Sequence, residues 1–197
     1  MGFFPTEPPE PRDEEIDEDW LAYARFSGHT IPGAVPEPIV VASTPFVTIV
    51  ATLTVSEAAL GVTWHTISRR VLTGLSRDQM SLRETARSAP LPDEFLRLGV
   101  AYDDGRTATN LPWETDDVEP DPDDPAQLAW QMRGGSGSPT VTTSSVVVEP
   151  GPDAGPVTLV CEWPALGVPE SRATVPFDVI DRARLLAITV EPLDEDA

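Results

Sequence analysis

The stretch FVTIVATLTV, Phe46 to Val55, alternates with a period of two. Val47, Ile49, Ala51, Leu53 and Val55 fall on one face, and Thr48, Thr52 and Thr54 on the other. Successive strand side chains point to opposite sides of the sheet, and β-branched residues suit that pleated surface. This is therefore a strand with one face buried, and it sets the fold class for everything around it. Ser56 to Ala59 reads as a turn, after which Leu60, Val62 and Trp64 resume the alternation towards Arg70.

The same pattern recurs downstream. Leu96, Leu98, Val100 and Tyr102 line one face of a strand, Asp103-Asp104-Gly105 turns the chain, and Arg106 to Asn110 returns as a hairpin. Leu128, Trp130 and Met132 alternate in a short strand, and Val141 to Glu149 is another. Gly151 to Gly155 turns into Val157, Leu159, Cys161 and Trp163, and Arg172 to Phe177 reads as a strand. Helical signals are few. Ile16, Trp20 and Ala24 recur at helical spacing within Asp13 to Phe26, and Ser76-Arg77-Asp78-Gln79 fits a capping box opening a helix through Arg87. Asp178 to Ala187 reads as a closing helix, with a last strand ending at Val190 as the alternative.

Seven or eight short strands broken by Pro, Gly and Asp turns predict a mainly β fold. The expected form is an antiparallel β-sandwich, immunoglobulin-like or similar, with one to three short helices. The expected organisation is an acidic, Pro-rich segment over 1–36, one sandwich domain over 37–190, and an acidic tail over 191–197. Within the domain lie an acidic loop, 111–127, and a Gly-rich linker, 134–139.

Charge is distributed unevenly. The chain has 33 acidic residues against 13 basic ones, all of them arginine, for a formal net charge of −20. Glu7 to Asp19 holds eight of the acids, Glu114 to Asp124 seven and Glu191 to Asp196 four. Elsewhere 14 acids face 12 arginines, so a nearly neutral body carries three acidic appendages. Such appendages repel polyanions and attract basic surfaces, which disfavours direct binding to DNA or RNA. No apolar run approaches the roughly 20 residues of a membrane helix, and the opening Met-Gly-Phe-Phe-Pro has no basic n-region, so the expected location is the cytoplasm.

Catalytic signatures are sparse. The histidines are His29, before Pro32-Gly33 in an expected turn, and His65, on the face opposite Trp64. The one cysteine, Cys161, alternates with Leu159 and Trp163 on the buried face, where it acts as a small hydrophobe. One cysteine allows neither an intrachain disulfide nor a thiolate zinc cluster. Asp103 and Asp104 are good turn formers at a hairpin tip rather than an acid/base pair. Asp116, Asp117, Glu119, Asp121, Asp123 and Asp124 offer hard oxygens for calcium, but their spacing is not that of an EF-hand. No cofactor is expected.

The segments Leu98 to Thr109 (LGVAYDDGRTAT) and Gly155 to Ala165 (GPVTLVCEWPA), with Glu170-Ser171-Arg172, resemble a group of uncharacterised actinobacterial proteins. In that group a GVxxxDGRxAT hairpin precedes a GPVTLVCEWPA-like strand and a Glu-Ser/Thr-Arg turn. The resemblance spans residues 95–190 and implies a bacterial source, but no activity. It also implies that the Gly-rich and acidic loops are the variable parts.

The expected function is a non-catalytic protein-interaction module whose acidic segments meet a basic protein surface. The residues expected to make that contact are Glu14, Glu15, Asp17, Glu18, Asp19 and Trp20, with Asp116, Asp117, Asp121, Asp123 and Asp124. Alternatives are a calcium-dependent binding module, a nucleic-acid mimic, or an enzyme whose site gathers His65, Asp104, Arg106 and Glu162 in the sandwich loops.

Overall fold

A computed structural model describes residues 29–72, 79, 82, 91–111 and 128–190. In chain order the strands are β1 (His29–Ile31), β2 (Gly33–Ala34), β3 (Ile39–Ser43), β4 (Val47–Val55), β5 (Leu60–Ser68), β6 (Arg97–Tyr102) and β7 (Thr107–Thr109). They continue with β8 (Ala129–Gly137), β9 (Val141–Glu149), β10 (Val157–Trp163) and β11 (Val168–Val175). Helix α1 (Phe177–Arg184) and β12 (Ile188–Val190) close the chain.

The architecture is mainly β and antiparallel. One sheet runs β2-β4-β5-β9-β8, with β3 also pairing β4, and a second runs β11-β10-β6-β7. A separate two-stranded ribbon joins β1 and β12. The predicted alternation is what the sheets bury. All five core-facing residues of β4 are at most 1% exposed. Val157, Leu159, Cys161 and Trp163 of β10 are buried in the same way from the facing sheet.

Register turns these stripes into a packed interior. Val55 lies opposite Leu60, Leu53 opposite Val62, and Ala51 opposite Trp64, so the smallest residue of β4 faces the largest of β5. Residues from both sheets and α1 form one hydrophobic cluster. Burying each Val, Leu or Ile contributes about 1.5–3 kcal/mol. The β4–β5 turn is closed by Ser56, whose Oγ accepts the Ala59 N–H at 3.1 Å. In the β6–β7 hairpin, Tyr102 donates its hydroxyl to the Pro150 carbonyl at 3.0 Å, which ties the second sheet to the loop after β9.

Helix α1 starts after Pro176, with Asp178 in its first turn and Arg182 and Arg184 in its last, the arrangement a helix dipole favours. Its buried face is Ile180 and Ala183. A Cβ on Gly33 of β2 would sit 1.8 Å from the Ala183 carbonyl, so helix and strand meet backbone to backbone. No helix among the described residues is long and apolar enough to cross a membrane.

Several boundaries differ from the sequence reading. Gly33 and Ala34, assigned there to the segment 1–36, pair with Val55 and Thr54, and Val35 is in the core. Three residues carry no readable period, so β2 leaves no mark in the pattern. His29 lies in a strand rather than a turn. The run 134–139 is not a linker. Gly134 to Gly137 complete β8 and pair with Ser145 to Thr142, after a bulge between Met132 and Gly134. Ladder hydrogen bonds use backbone groups alone, so glycine composition does not preclude them. Strand β11 begins at Val168, which places Glu170-Ser171-Arg172 within a strand instead of a turn. Both alternatives for the C-terminal stretch are realised, as helix α1 followed by strand β12. Of the helix expected over 76–87, Gln79 and Leu82 are described, both are helical, and Leu82 is buried. The helix expected within 13–26, the acidic loop 111–127 apart from Leu111, and the tail 191–197 lie outside the described residues.

Candidate functional site

The residues expected to meet a partner, Glu14, Glu15, Asp17, Glu18, Asp19, Trp20, Asp116, Asp117, Asp121, Asp123 and Asp124, all lie outside the described residues. The described body holds twelve acids against eight arginines, so it carries four of the twenty net negative charges. Five of those arginines pair with carboxylates of the body itself. Arg97 pairs with Glu162, Arg106 with Asp104 and Asp153, and Arg172 with Glu170. Arg182 pairs with Asp178, and Arg184 with Asp181. Arg70 instead stacks 4.4 Å over the Phe46 ring.

The four residues considered for an enzymatic site are not brought together. Asp104 accepts the Arg106 backbone N–H at 2.9 Å and its Nε at 2.6 Å. These bonds, the backbone one first, hold the Asp104 carboxyl below the usual range. Glu162 is engaged by Arg97, and the His65 Nδ1 lies 3.5 Å from the Thr143 hydroxyl on the sheet's outer side. Cys161 is buried, and burial pushes its thiol up to about 12, so it stays neutral and unreactive at ordinary pH. Burial likewise raises Tyr102 above its ordinary value. Among the described residues no three His, Cys, Asp or Glu side chains gather as a metal ion would require.

What the two sheets do hold between them is a cavity of about 530 Å³, open on one side. Its origin is visible in the register. On β5 the inward residues run Leu60, Val62, Trp64, then Thr66; opposite them on β9 lie Val148, Val146, Ser144 and Thr142. On β8 the partners of Ser144 and Thr142 are Gly135 and Gly137. On β5, β9 and β8 apolar bulk therefore gives way beyond Trp64 to hydroxyls and glycines, while β4 still brings Ile49 and Val47 inward opposite Thr66 and Ser68. The facing sheet supplies Leu98 and Trp163, with Phe95 and Leu96 just before β6. Met132, 43% exposed, stands at the rim and accepts a contact from Ser144 Oγ at 3.3 Å.

Two amides fix the facing wall. Gln79 donates to the Glu94 carbonyl at 3.0 Å and accepts the Leu96 N–H at 2.8 Å. Asn110 accepts the Leu98 N–H and donates to the Leu96 carbonyl, both at 2.8 Å. Trp163 Nε1 also donates to the Glu94 carbonyl, at 2.8 Å. Trp64 contrasts with it: its side chain is only 1% exposed beside the cavity, and its indole N–H is buried without a hydrogen-bond partner among the described residues. Such an orphaned donor costs about 1–3 kcal/mol.

None of these residues was singled out for function from the sequence. The one available signal was the change from Val146 and Val148 to Thr142 and Ser144 along a single face of β9. It gains meaning only when β8 is known to change at the same level, with Gly135 opposite Ser144, and β5 one level on, with Thr66 opposite Thr142. No family model matches the chain, and neither a curated protein nor a solved structure matches it.

Proposed function

We propose that this protein is a non-catalytic interaction module of the bacterial cytoplasm, whose acidic segments engage a basic protein surface and not nucleic acid. The segregation of charge carries this reading. The described body retains a net charge of −4 and spends most of its arginines on its own carboxylates, while the remaining −16 belongs to the rest of the chain. Runs of carboxylates of this kind attract a cationic partner, and such contacts raise the association rate and weaken with salt.

The test is a titration of the full chain with an arginine-rich peptide. It compares the parent with a variant in which Asp116, Asp117, Asp121, Asp123 and Asp124 become Asn and Glu14, Glu15 and Glu18 become Gln. At low salt the parent binds at least about tenfold more tightly than the variant; near 1 M salt, where the screening length falls to about 3 Å, the two converge. Equal affinity of parent and variant at low salt removes the reading.

A further inference from the structure

We infer that the groove lined by Phe46, Arg70, Val71 and Leu166, beside the turn Pro164–Leu166 between β10 and β11, is a docking site for a partner peptide that carries one carboxylate next to a large apolar side chain. Its apolar rim reaches solvent, with Phe46 38% and Val71 62% exposed. Its volume of about 270 Å³ falls below the roughly 300–1,000 Å³ of small-molecule sites and suits a single anchoring side chain. Apolar surface continues onto the outer face of the larger sheet, where the exposed Ile67 and Val141 lie opposite each other.

The carboxylate follows from Arg70. Five arginines of the body spend their charge on its carboxylates, whereas Arg70 lies over the Phe46 ring and, among the described residues, no carboxylate pairs with it. A guanidinium resting on a ring keeps its fork of N–H donors, which matches a carboxylate bidentately. Its neighbour Arg69 donates to the Thr44 carbonyl and the Thr48 hydroxyl and adds a second positive charge. The number of carboxylates follows from the whole chain. A formal net charge of −20 repels polyanions and extended anionic surfaces. A lone carboxylate is drawn by the two arginines within the screening length of about 8 Å and incurs the least of that repulsion.

The experiment uses the full chain and three dansyl-labelled, amidated peptides, GSDFGS, GSNFGS and GSDSGS, followed by dansyl emission. The expected result is saturable binding of one GSDFGS per chain. GSNFGS lacks the carboxylate and binds about tenfold more weakly. GSDSGS lacks the ring and loses about as much. Arg70→Gln lowers the affinity for GSDFGS about tenfold and leaves that for GSNFGS unchanged. Val71→Ser, at an exposed position where folding is not at stake, lowers it about threefold. Arg133→Gln, an exposed arginine on β8 bonded to Gln131, leaves binding unchanged.

Absence of saturable GSDFGS binding, or binding that both Arg70→Gln and Val71→Ser leave intact, overturns the site. Equal binding of GSNFGS overturns the carboxylate, and equal binding of GSDSGS the apolar anchor. Co-sedimentation with phosphatidylserine vesicles that Arg70→Gln abolishes, with no peptide bound, overturns the peptide in favour of a lipid surface. Arg70→Gln leaves the titration with the arginine-rich peptide unchanged, and the variant of the acidic segments binds GSDFGS at least as tightly as the parent. Either test can therefore fail without touching the other reading.

Discussion

The two ends of the larger sheet are built from the same three strands but filled differently. At one end β5 and β9 bring Leu60, Val62, Val146 and Val148 inward, and α1 lies with Ile180 and Ala183 against β2 and β4. At the other end the same strands bring Thr66, Thr142 and Ser144 inward, and β8 contributes glycines. The first end holds a dense interior and the second a cavity. Strand pairing is equally regular at both, so the backbone ladder does not decide where a sandwich is solid. Side-chain volume, level by level, decides it.

This contrast can be probed by mutation, beginning with the filled end. Leu60→Ala removes a fully buried side chain opposite Val55 and Val148, and should cost about 2–5 kcal/mol in urea unfolding. A loss below 1 kcal/mol would mean that this end is looser than its burial indicates. Gly33→Ala places a methyl group where the Ala183 carbonyl already sits, so α1 must shift away from β2. The expected cost is about 3 kcal/mol, read as a lowered unfolding midpoint.

The core thiol tests dryness from the other sheet. Cys161 has an ordinary value near 9 in the unfolded chain and about 12 in the folded protein. Between those values the unfolded state binds fewer protons than the native one, so stability falls as pH rises through the window, and the effect is absent below pH 9. The slope for one proton is at most about 1.4 kcal/mol per pH unit. Cys161→Val should flatten this alkaline decline and leave only the share of Tyr102, which is raised in the same direction. An unchanged pH profile would place water beside the thiol.

At the open end the expected effect is smallest. Ser144→Val adds apolar volume to space that is already empty and should change stability by no more than about 0.5 kcal/mol. A loss above 2 kcal/mol would show that the hydroxyl is a structural partner and that the two ends are not so different.

Much of the fold was legible because its main strands are long and one-sided. In β4, β5 and β10 the alternation runs for seven to nine residues, enough to name the apolar core positions, including Trp64, Cys161 and Trp163, though not the buried Thr66 and Ser68 of β5. The hairpin of β6 and β7, with Asp104 and Gly105 at its tip, was readable from turn chemistry. Short or one-off elements were not. Strand β2 has two residues, β11 begins at Val168 and runs through a Pro-Glu-Ser stretch, and the second half of β8 pairs through backbone while its composition suggests slack.

The candidate sites divide along the same line. Segregated charge is a property of the chain read in order, so the acidic segments and the near-neutral body could be recognised from residue types alone. Alternation likewise names the face of a strand, because the direction of each side chain follows from local backbone geometry. Which strands lie side by side, and at what register, depends on contacts between residues far apart in the chain. The cavity exists because Thr66, Thr142 and Gly137 fall at one level of three paired strands, next to Ser144 and Gly135, and a second sheet faces them. No window of sequence contains that coincidence, so it emerged only from the folded arrangement.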